Sequence, residues 1–147
     1  MEPLETKLKN RIMKQKKRVY ISGPMTDPKT GEVVAENLEM FWKAEELLNK
    51  AGYDDTVNPV RVWTCKFPWL YRLVGYRLTL LYDIWLLMRC THIYKLPRWQ
   101  QSRGANIESC VAYHLKIWPV KQKVIDAINK KLEKIIKNHE NENQNKK

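Results

Sequence analysis

Short runs rich in β-branched and aromatic residues alternate with helical patterns, and this alternation constrains the fold more than any other feature. Strands are predicted at residues 18–22, 56–59, 91–96 and 116–120. Helices are predicted at residues 35–51, 78–90, 102–114 and 121–138. Repeated strand–helix alternation indicates an α/β fold with a parallel sheet and helices on both faces. Such sheets bind ligands at the carboxyl ends of their strands, where we expect the loops after Ser22, Asn58 and Leu96 to converge.

Charge divides the chain into a nearly neutral centre and two basic ends. The net charge is +11, and residues 1–18 and 121–147 carry most of the excess. We therefore predict a basic N-terminal extension at 1–17, an α/β domain at 18–138 and a disordered tail at 139–147. Basic ends attract nucleic acid electrostatically. We expect only weak, non-specific binding from them, and an unchanged site after removal of residues 139–147.

Cysteine usage and hydropathy indicate the compartment. Cys65, Cys90 and Cys110 are too few for a disulfide framework and wrongly spaced for zinc. The most apolar stretch, residues 78–88, is interrupted by Asp83 and is shorter than the ~20 residues that span a bilayer. No secretory signal is visible at the N-terminus. These features predict a reduced, cytoplasmic protein with no membrane segment and no metal site.

The first candidate motif is the turn Ser22-Gly23-Pro24-Met25, directly after the first predicted strand. Gly23 has no side chain, so a ligand could approach the backbone closely there. The alternative is an ordinary tight turn. The segment lacks the repeated glycines of a dinucleotide loop and the Gly-Lys-Ser/Thr of a P-loop, so the sequence supports neither of those functions.

The second candidate motif is Ser102-Arg103-Gly104-Ala-Asn-Ile-Glu108. Ser102 caps the predicted helix, and the unpaired amides of the first turn, with Arg103, suit an anionic group. Glu108 lies six residues on, about 9 Å along the helix axis. That separation fits a ligand with a phosphate at one end and a reactive carbon at the other, such as a sugar phosphate. The alternative is a capped helix with a solvent-facing glutamate.

Asp83 and Trp99 complete the candidates. Asp83 lies within an apolar helical segment, so its carboxyl is predicted to be partly buried. One interpretation is a general acid or a group that orients the substrate. The alternative is a buried carboxyl that accepts a hydrogen bond from a backbone amide. Trp99 lies on the loop before Ser102 and is a candidate for stacking on a base.

Together these segments resemble the nucleoside 2-deoxyribosyltransferase-like superfamily, in particular a small branch of unknown function found in phages and bacteria. The resemblance covers about residues 18–120 and rests on residues 19–25, a helix with Asn37, Phe41 and Ala44, Asn58-Pro59, Tyr82-Asp83-Ile84, and Leu96-Pro-x-Trp99-x-x-Ser102-x-Gly-Ala-x-x-Glu108. Related members include nucleoside deoxyribosyltransferases and 2′-deoxynucleoside 5′-monophosphate N-glycosidases, all of flavodoxin-like, Rossmann-like fold with four to five parallel strands.

The resemblance implies roles for individual residues. Glu108 matches the nucleophile that attacks the anomeric carbon, Asp83 a carboxylate that orients the substrate or protonates the leaving base, and Ser102 a phosphate-binding serine. Tyr20 and the turn at 23–25 match the wall around the sugar and the nucleophile. The expected substrate-binding set is Ser22, Gly23, Pro24, Met25, Asn58, Trp99, Ser102, Arg103 and Gly104. The implied activity cleaves the base–sugar bond of a (deoxy)nucleoside 5′-monophosphate without a cofactor.

Two further expectations accompany this resemblance. Relatives complete their sites across an interface, and the aromatic residues Trp69, Tyr71, Tyr76 and Trp85 exceed what one small sheet needs, so we expect a homodimer. Thr91 stands where relatives often carry a second aspartate, and this departure bears on how the base is handled. The alternative function is a non-catalytic nucleotide-binding protein that senses or sequesters a ribosylated nucleotide signal.

Overall fold

The structure, a computed structural model, describes residues 3–7, 17–63 and 68–146, of which 62–63, 68–74 and 76 are described by their backbone alone. The strands are β1 (Arg18–Ser22), β2 (Asp55–Val57), β3 (His92–Lys95) and β4 (Trp118–Pro119). The helices are α1 (Ala35–Lys50), α2 (Pro59–Trp63), α3 (Pro68–Met88), α4 (Arg103–His114) and α5 (Gln122–Asn145), with a 3-10 turn at Trp99–Gln101. Most of the predicted extension at 1–17, and Cys65, lie outside the described residues.

The four strands form one parallel sheet in the order β2-β1-β3-β4. In the register, Tyr20 of β1 lies beside Val57 of β2 and Ile93 of β3. This order is that of a flavodoxin-like sheet. The predicted α/β fold with a parallel sheet is therefore confirmed.

Strand β1 divides the interior into two cores. Val19 and Ile21 face α1 and α5, where they pack with residues such as Phe41 and Leu132. Tyr20 belongs to the opposite core, which α3 and α4 cover. Successive side chains of a strand point to opposite faces, so Ser22 follows Tyr20 onto the α3–α4 face.

The turn after β1 needs glycine because of close packing. A Cβ atom at Gly23 would lie 2.7 Å from Cδ1 and 2.8 Å from Cβ of Leu96. Leu96 is itself buried. Because the leucine Cβ is fixed to the backbone, a change of rotamer does not relieve the overlap.

We expect Gly23→Ala to lower the free energy of unfolding by about 1–3 kcal/mol, the usual cost of overpacking. Chemical denaturation measures this change. The double variant Gly23→Ala/Leu96→Ala is the control, because removing the leucine side chain beyond Cβ relieves part of the overlap. Its destabilisation should be smaller than the sum of the two single changes, and a strictly additive result would contradict the packing argument.

Helix α3 starts earlier than predicted and is kinked at Gly75, where φ is 75°. Its exposed face carries an apolar stripe of Leu78, Leu81, Trp85 and Met88. Trp85 therefore lies where the expected homodimer could use it, whereas the side chains of Trp69, Tyr71 and Tyr76 are outside the described part. Within the residues described, no helix is both long enough and apolar enough to cross a membrane.

The C-terminal helix corrects one expectation. The sequence predicts a disordered tail at 139–147, but α5 continues to Asn145. Its last turns contact α1, because His139 Nε2 lies 3.1 Å from Glu39 Oε2 and Asn143 Nδ2 donates to Glu36 Oε1 at 3.5 Å. Polar composition suggested a solvated end, and these contacts explain why the helix persists.

Candidate functional site

Glu108 occupies the centre of the site. It lies on α4 above β1 and is only 5% exposed. Tyr20 Oη donates a hydrogen bond of 2.8 Å to Glu108 Oε1, and Ser22 Oγ donates a short one to Oε2. The alternation of β1 places both hydroxyls on the face that α4 covers. Two residues of one strand thus hold both oxygens of one carboxyl group.

Burial determines the protonation of this cluster. Desolvation raises the pKa of Glu108 from an ordinary 4.5 to about 7, although the hydrogen bonds from Ser22 and Tyr20 act to lower it. The pKa of Tyr20 is raised well above its ordinary value, first by burial and then by the charges of Glu108 and Asp83. Tyr20 therefore stays protonated and remains a hydrogen-bond donor to Glu108 at neutral pH.

A cavity of about 520 Å³ opens beside Glu108 at the carboxyl edge of the sheet. Asp83 and Thr79 of α3 line one side of it, and both are nearly fully buried. Met25, Val33 and Leu38 contribute apolar surface. The volume is in the range of cavities that hold a small organic ligand.

The N-terminus of α4 forms another wall of this cavity. Ser102 Oγ accepts a hydrogen bond of 3.3 Å from the Ala105 amide, which confirms the predicted cap. Ser102, Arg103 and Gly104 all line the cavity. First-turn amides of a helix have no intrahelical partner and favour anions. The site therefore has a buried carboxyl and a helix N-terminus, a feature that favours anions in general, about 9 Å apart along α4.

The structure brings together most of the residues predicted for the site. One cavity is lined by Gly23, Met25, Asp83, Ser102, Arg103, Gly104 and Glu108. Tyr20 and Ser22 join them through Glu108. Gly23 lines this cavity, and its lack of a side chain also makes room for Leu96.

Three predicted residues lie elsewhere. Asn58 is buried, donates to Glu45 Oε2 at 3.0 Å and accepts from the Val60 amide, so it stabilises the β2–α2 junction. Trp99 lines a separate cavity towards α5, and the Lys95 ammonium lies 4.1 Å from its ring centroid. Pro24 lines a third, smaller cavity. Asn58 and Trp99 do follow strands, as predicted, but their side chains lie on a different side of the sheet edge from the cavity.

The loop between β1 and α1 supplies residues that sequence reasoning missed. Thr26, Asp27 and Val33 line the cavity. A bridge between Thr26 and Val33 closes this loop, and Asp27 Oδ1 accepts hydrogen bonds from the amides of Lys29 and Thr30. Asp27-Pro28 and Gly31 indicated a turn, but nothing in the sequence showed that the turn folds over the site.

Thr91 lies at the opposite edge of the sheet. Its hydroxyl accepts from the Arg18 amide at 2.9 Å and contacts the Arg18 carbonyl at 3.1 Å, at the amino ends of β1 and β3. The cavity lies at their carboxyl ends. Threonine at this position therefore joins two strands and is remote from the cavity.

The fold and the site define an α/β protein of flavodoxin-like topology with a buried carboxyl in a cavity at the carboxyl edge of its sheet. Across the described ranges, no three His, Cys, Asp or Glu side chains come together as a metal site would require. Residues 17–120 match the family described as domain of unknown function DUF4406, and the chain belongs to that family. Comparisons with curated proteins and with solved structures give no significant match.

Proposed function

We propose that this protein is an N-glycosidase or deoxyribosyltransferase-like enzyme of the nucleoside 2-deoxyribosyltransferase-like superfamily. It would cleave the base–sugar bond of a (deoxy)nucleoside 5′-monophosphate with Glu108 as nucleophile. The observation that carries the proposal is the placement of Glu108, held by Tyr20 and Ser22 in the wall of a cavity that also contains a helix N-terminus. This arrangement suits a ligand with a phosphate and a reactive carbon at opposite ends.

Binding of the substrate follows from the cavity walls. The phosphate sits at Ser102 and the first-turn amides of α4, with Arg103 as a cationic neighbour. The sugar then reaches Glu108, which lies further along the same helix. The apolar side chains of Met25, Val33 and Leu38 provide a surface for a planar base.

The reaction proceeds by two displacements at C1′. A carboxylate oxygen of Glu108 forms a bond to C1′ while the glycosidic C–N bond breaks, and the base leaves with the electron pair and takes a proton from Asp83 or from water. Water then attacks C1′, the glycosyl–Glu108 bond breaks, and the proton from water replaces the one given to the base. The net reaction consumes one nucleotide and one water and releases free base and sugar phosphate.

Incubation with a panel of ribo- and deoxynucleoside 5′-monophosphates, followed by chromatography for free base, tests this proposal. Ser102→Ala should weaken a phosphate-bearing ligand by about tenfold, the effect of one lost hydrogen bond to a charged group. The parent nucleoside should bind equally well to both proteins, because it does not use the helix N-terminus.

The matched control for Ser102→Ala is Ser109→Ala. Ser109 lies on the same helix, and its hydroxyl accepts from Lys95 Nζ at 3.2 Å. Its loss should leave both ligands unaffected. Equal weakening of nucleotide and nucleoside by Ser102→Ala would contradict the phosphate assignment. Tight nucleotide binding without any release of base would instead favour the non-catalytic binding protein.

A further inference from the structure

The last turns of α5 lie behind the loop that carries the helix N-terminus of the ligand site. Arg98 precedes the 3-10 turn, and its guanidinium donates to Glu140 Oε1 at 2.6 Å. The family match ends at residue 120, so this contact joins the family domain to a helix outside the matched segment. Residues 139–145 are the C-terminal turns of α5.

The backbone of Arg98 is held in an uncommon conformation. Its φ of 65° and ψ of 17° lie in the left-handed region, which residues other than glycine rarely adopt. Hydrogen bonds then run from the Gln101 amide to the Arg98 carbonyl and from the Ser102 amide to the Trp99 carbonyl. The conformation at Arg98 thus determines where the chain enters the Ser102 cap.

A small cavity shows how closely the C-terminal turns approach the ligand site. This cavity, of about 230 Å³, is lined by His139 and Glu140 on one side and by Asp27 and Gln101 on the other. Asp27 and Gln101 also line the ligand cavity. Both loops that border the ligand site therefore lie between that site and the C-terminal turns.

We infer that Glu140 is a positioning residue, which holds the loop at 97–102 in its ligand-binding conformation through Arg98. The consequence of this role for catalysis rests on the proposed function, whereas the effect of Glu140 on the loop does not depend on it. Both partners of the ion pair are about half exposed, and exposed pairs contribute little to global stability. We therefore expect a local effect on the loop, without a change in the melting temperature. Removal of residues 139–147, which the sequence predicts to leave the site unchanged, should instead disturb this loop because it deletes Glu140.

Hydrogen exchange of the amides at 97–105 in the full chain, without ligand, tests this inference. Glu140→Gln should speed exchange there by about two- to fivefold, the range that an exposed ion pair supports. The control is Glu142→Gln, which makes the same charge change in the same helix at a residue with no ion pair among the described residues. The charge exchange Arg98→Glu with Glu140→Arg should restore slow exchange.

Equal exchange at 97–105 in the Glu140→Gln and Glu142→Gln proteins would overturn the inference. So would faster exchange spread evenly over the chain, because that result indicates general destabilisation. If the nucleotide reaction is established, Glu140→Gln should raise KM and leave kcat unchanged. Faster exchange in a protein without turnover would support the positioning role while the proposed function fails.

Discussion

Glu108→Gln is expected to abolish the release of free base while ligand binding stays within about tenfold, or about 1.4 kcal/mol. Glutamine has the shape of glutamate. Its Oε1 can accept from one of the two hydroxyls that hold the carboxyl, those of Tyr20 and Ser22, and its Nε2 can donate to the oxygen of the other. It cannot form the bond to C1′ that the proposed first step requires. Chromatography of the products and calorimetric titration with the nucleotide measure the two effects separately.

Asp83→Asn provides the graded comparison. Asp83 lines the same cavity and is similarly buried, but its proposed task is proton transfer, which typically contributes about 10²–10⁴-fold. The rate should therefore fall without disappearing. Full activity in the Glu108→Gln protein would eliminate the proposed mechanism, whatever Asp83→Asn does.

Glu108 should also make the stability of the wild-type protein fall as the pH rises from about 4.5 to about 7. Because its pKa is raised to about 7 by burial, the folded state binds this proton more tightly than the unfolded state, whose carboxyl has an ordinary pKa. Unfolding releases the proton in this window, so raising the pH favours unfolding. At about 1.4 kcal/mol per pH unit, the free energy of unfolding falls by about 3 kcal/mol in total over this window.

Glu108→Gln removes this titration. The free energy of unfolding of the variant minus that of the wild type should therefore be about 3 kcal/mol larger at pH 8 than at pH 4.5. Chemical denaturation at a series of pH values measures the difference between the proteins. Glu46→Gln is the control. The hydrogen bonds from Lys43 and Lys50 lower the pKa of this exposed carboxyl from 4.5 to about 2, so the effect of the substitution should change only slightly near pH 4.5 and be constant above it. Parallel pH profiles for the wild type and Glu108→Gln would contradict the assignment.

Features with a local signal were predicted well from the sequence. Strands β1 and β3 have β-branched and aromatic residues at their centres and are followed by turns, and the helix after Ser102 begins with a side chain that caps it. Helix α2 and the first half of α3 were missed, because the aromatic residues of 60–78 follow no amphipathic period and are interrupted by Pro68 and Gly75. The end of α5 depends on contacts with α1 that its polar composition does not reveal.

The site was predicted less completely, because the sequence shows which residues follow a strand but not which face of the sheet their side chains are on. Asn58 does follow a strand, but β2 is an outer strand and the amide of Asn58 turns towards Glu45 of α1. Trp99 follows β3 and turns towards α5. By contrast, the period of two in β1 is enough to place Tyr20 and Ser22 on one face. The α4 helix packed there supplies Glu108.

The alternation of β1 has a consequence for how the protein can vary. Val19 and Ile21 belong to one core, and Tyr20 and Ser22 hold Glu108 on the other face. Insertion or deletion of a single residue in this strand would exchange the two sets, burying hydroxyls among α1 and α5 and placing aliphatic side chains against a carboxyl. The pKa of Glu108 therefore depends on the native register of β1, because the hydroxyls of Tyr20 and Ser22 act to lower it against the effect of burial. The titration of Glu108, followed by NMR, would report whether a purified sample or variant has folded correctly, without any knowledge of its substrate.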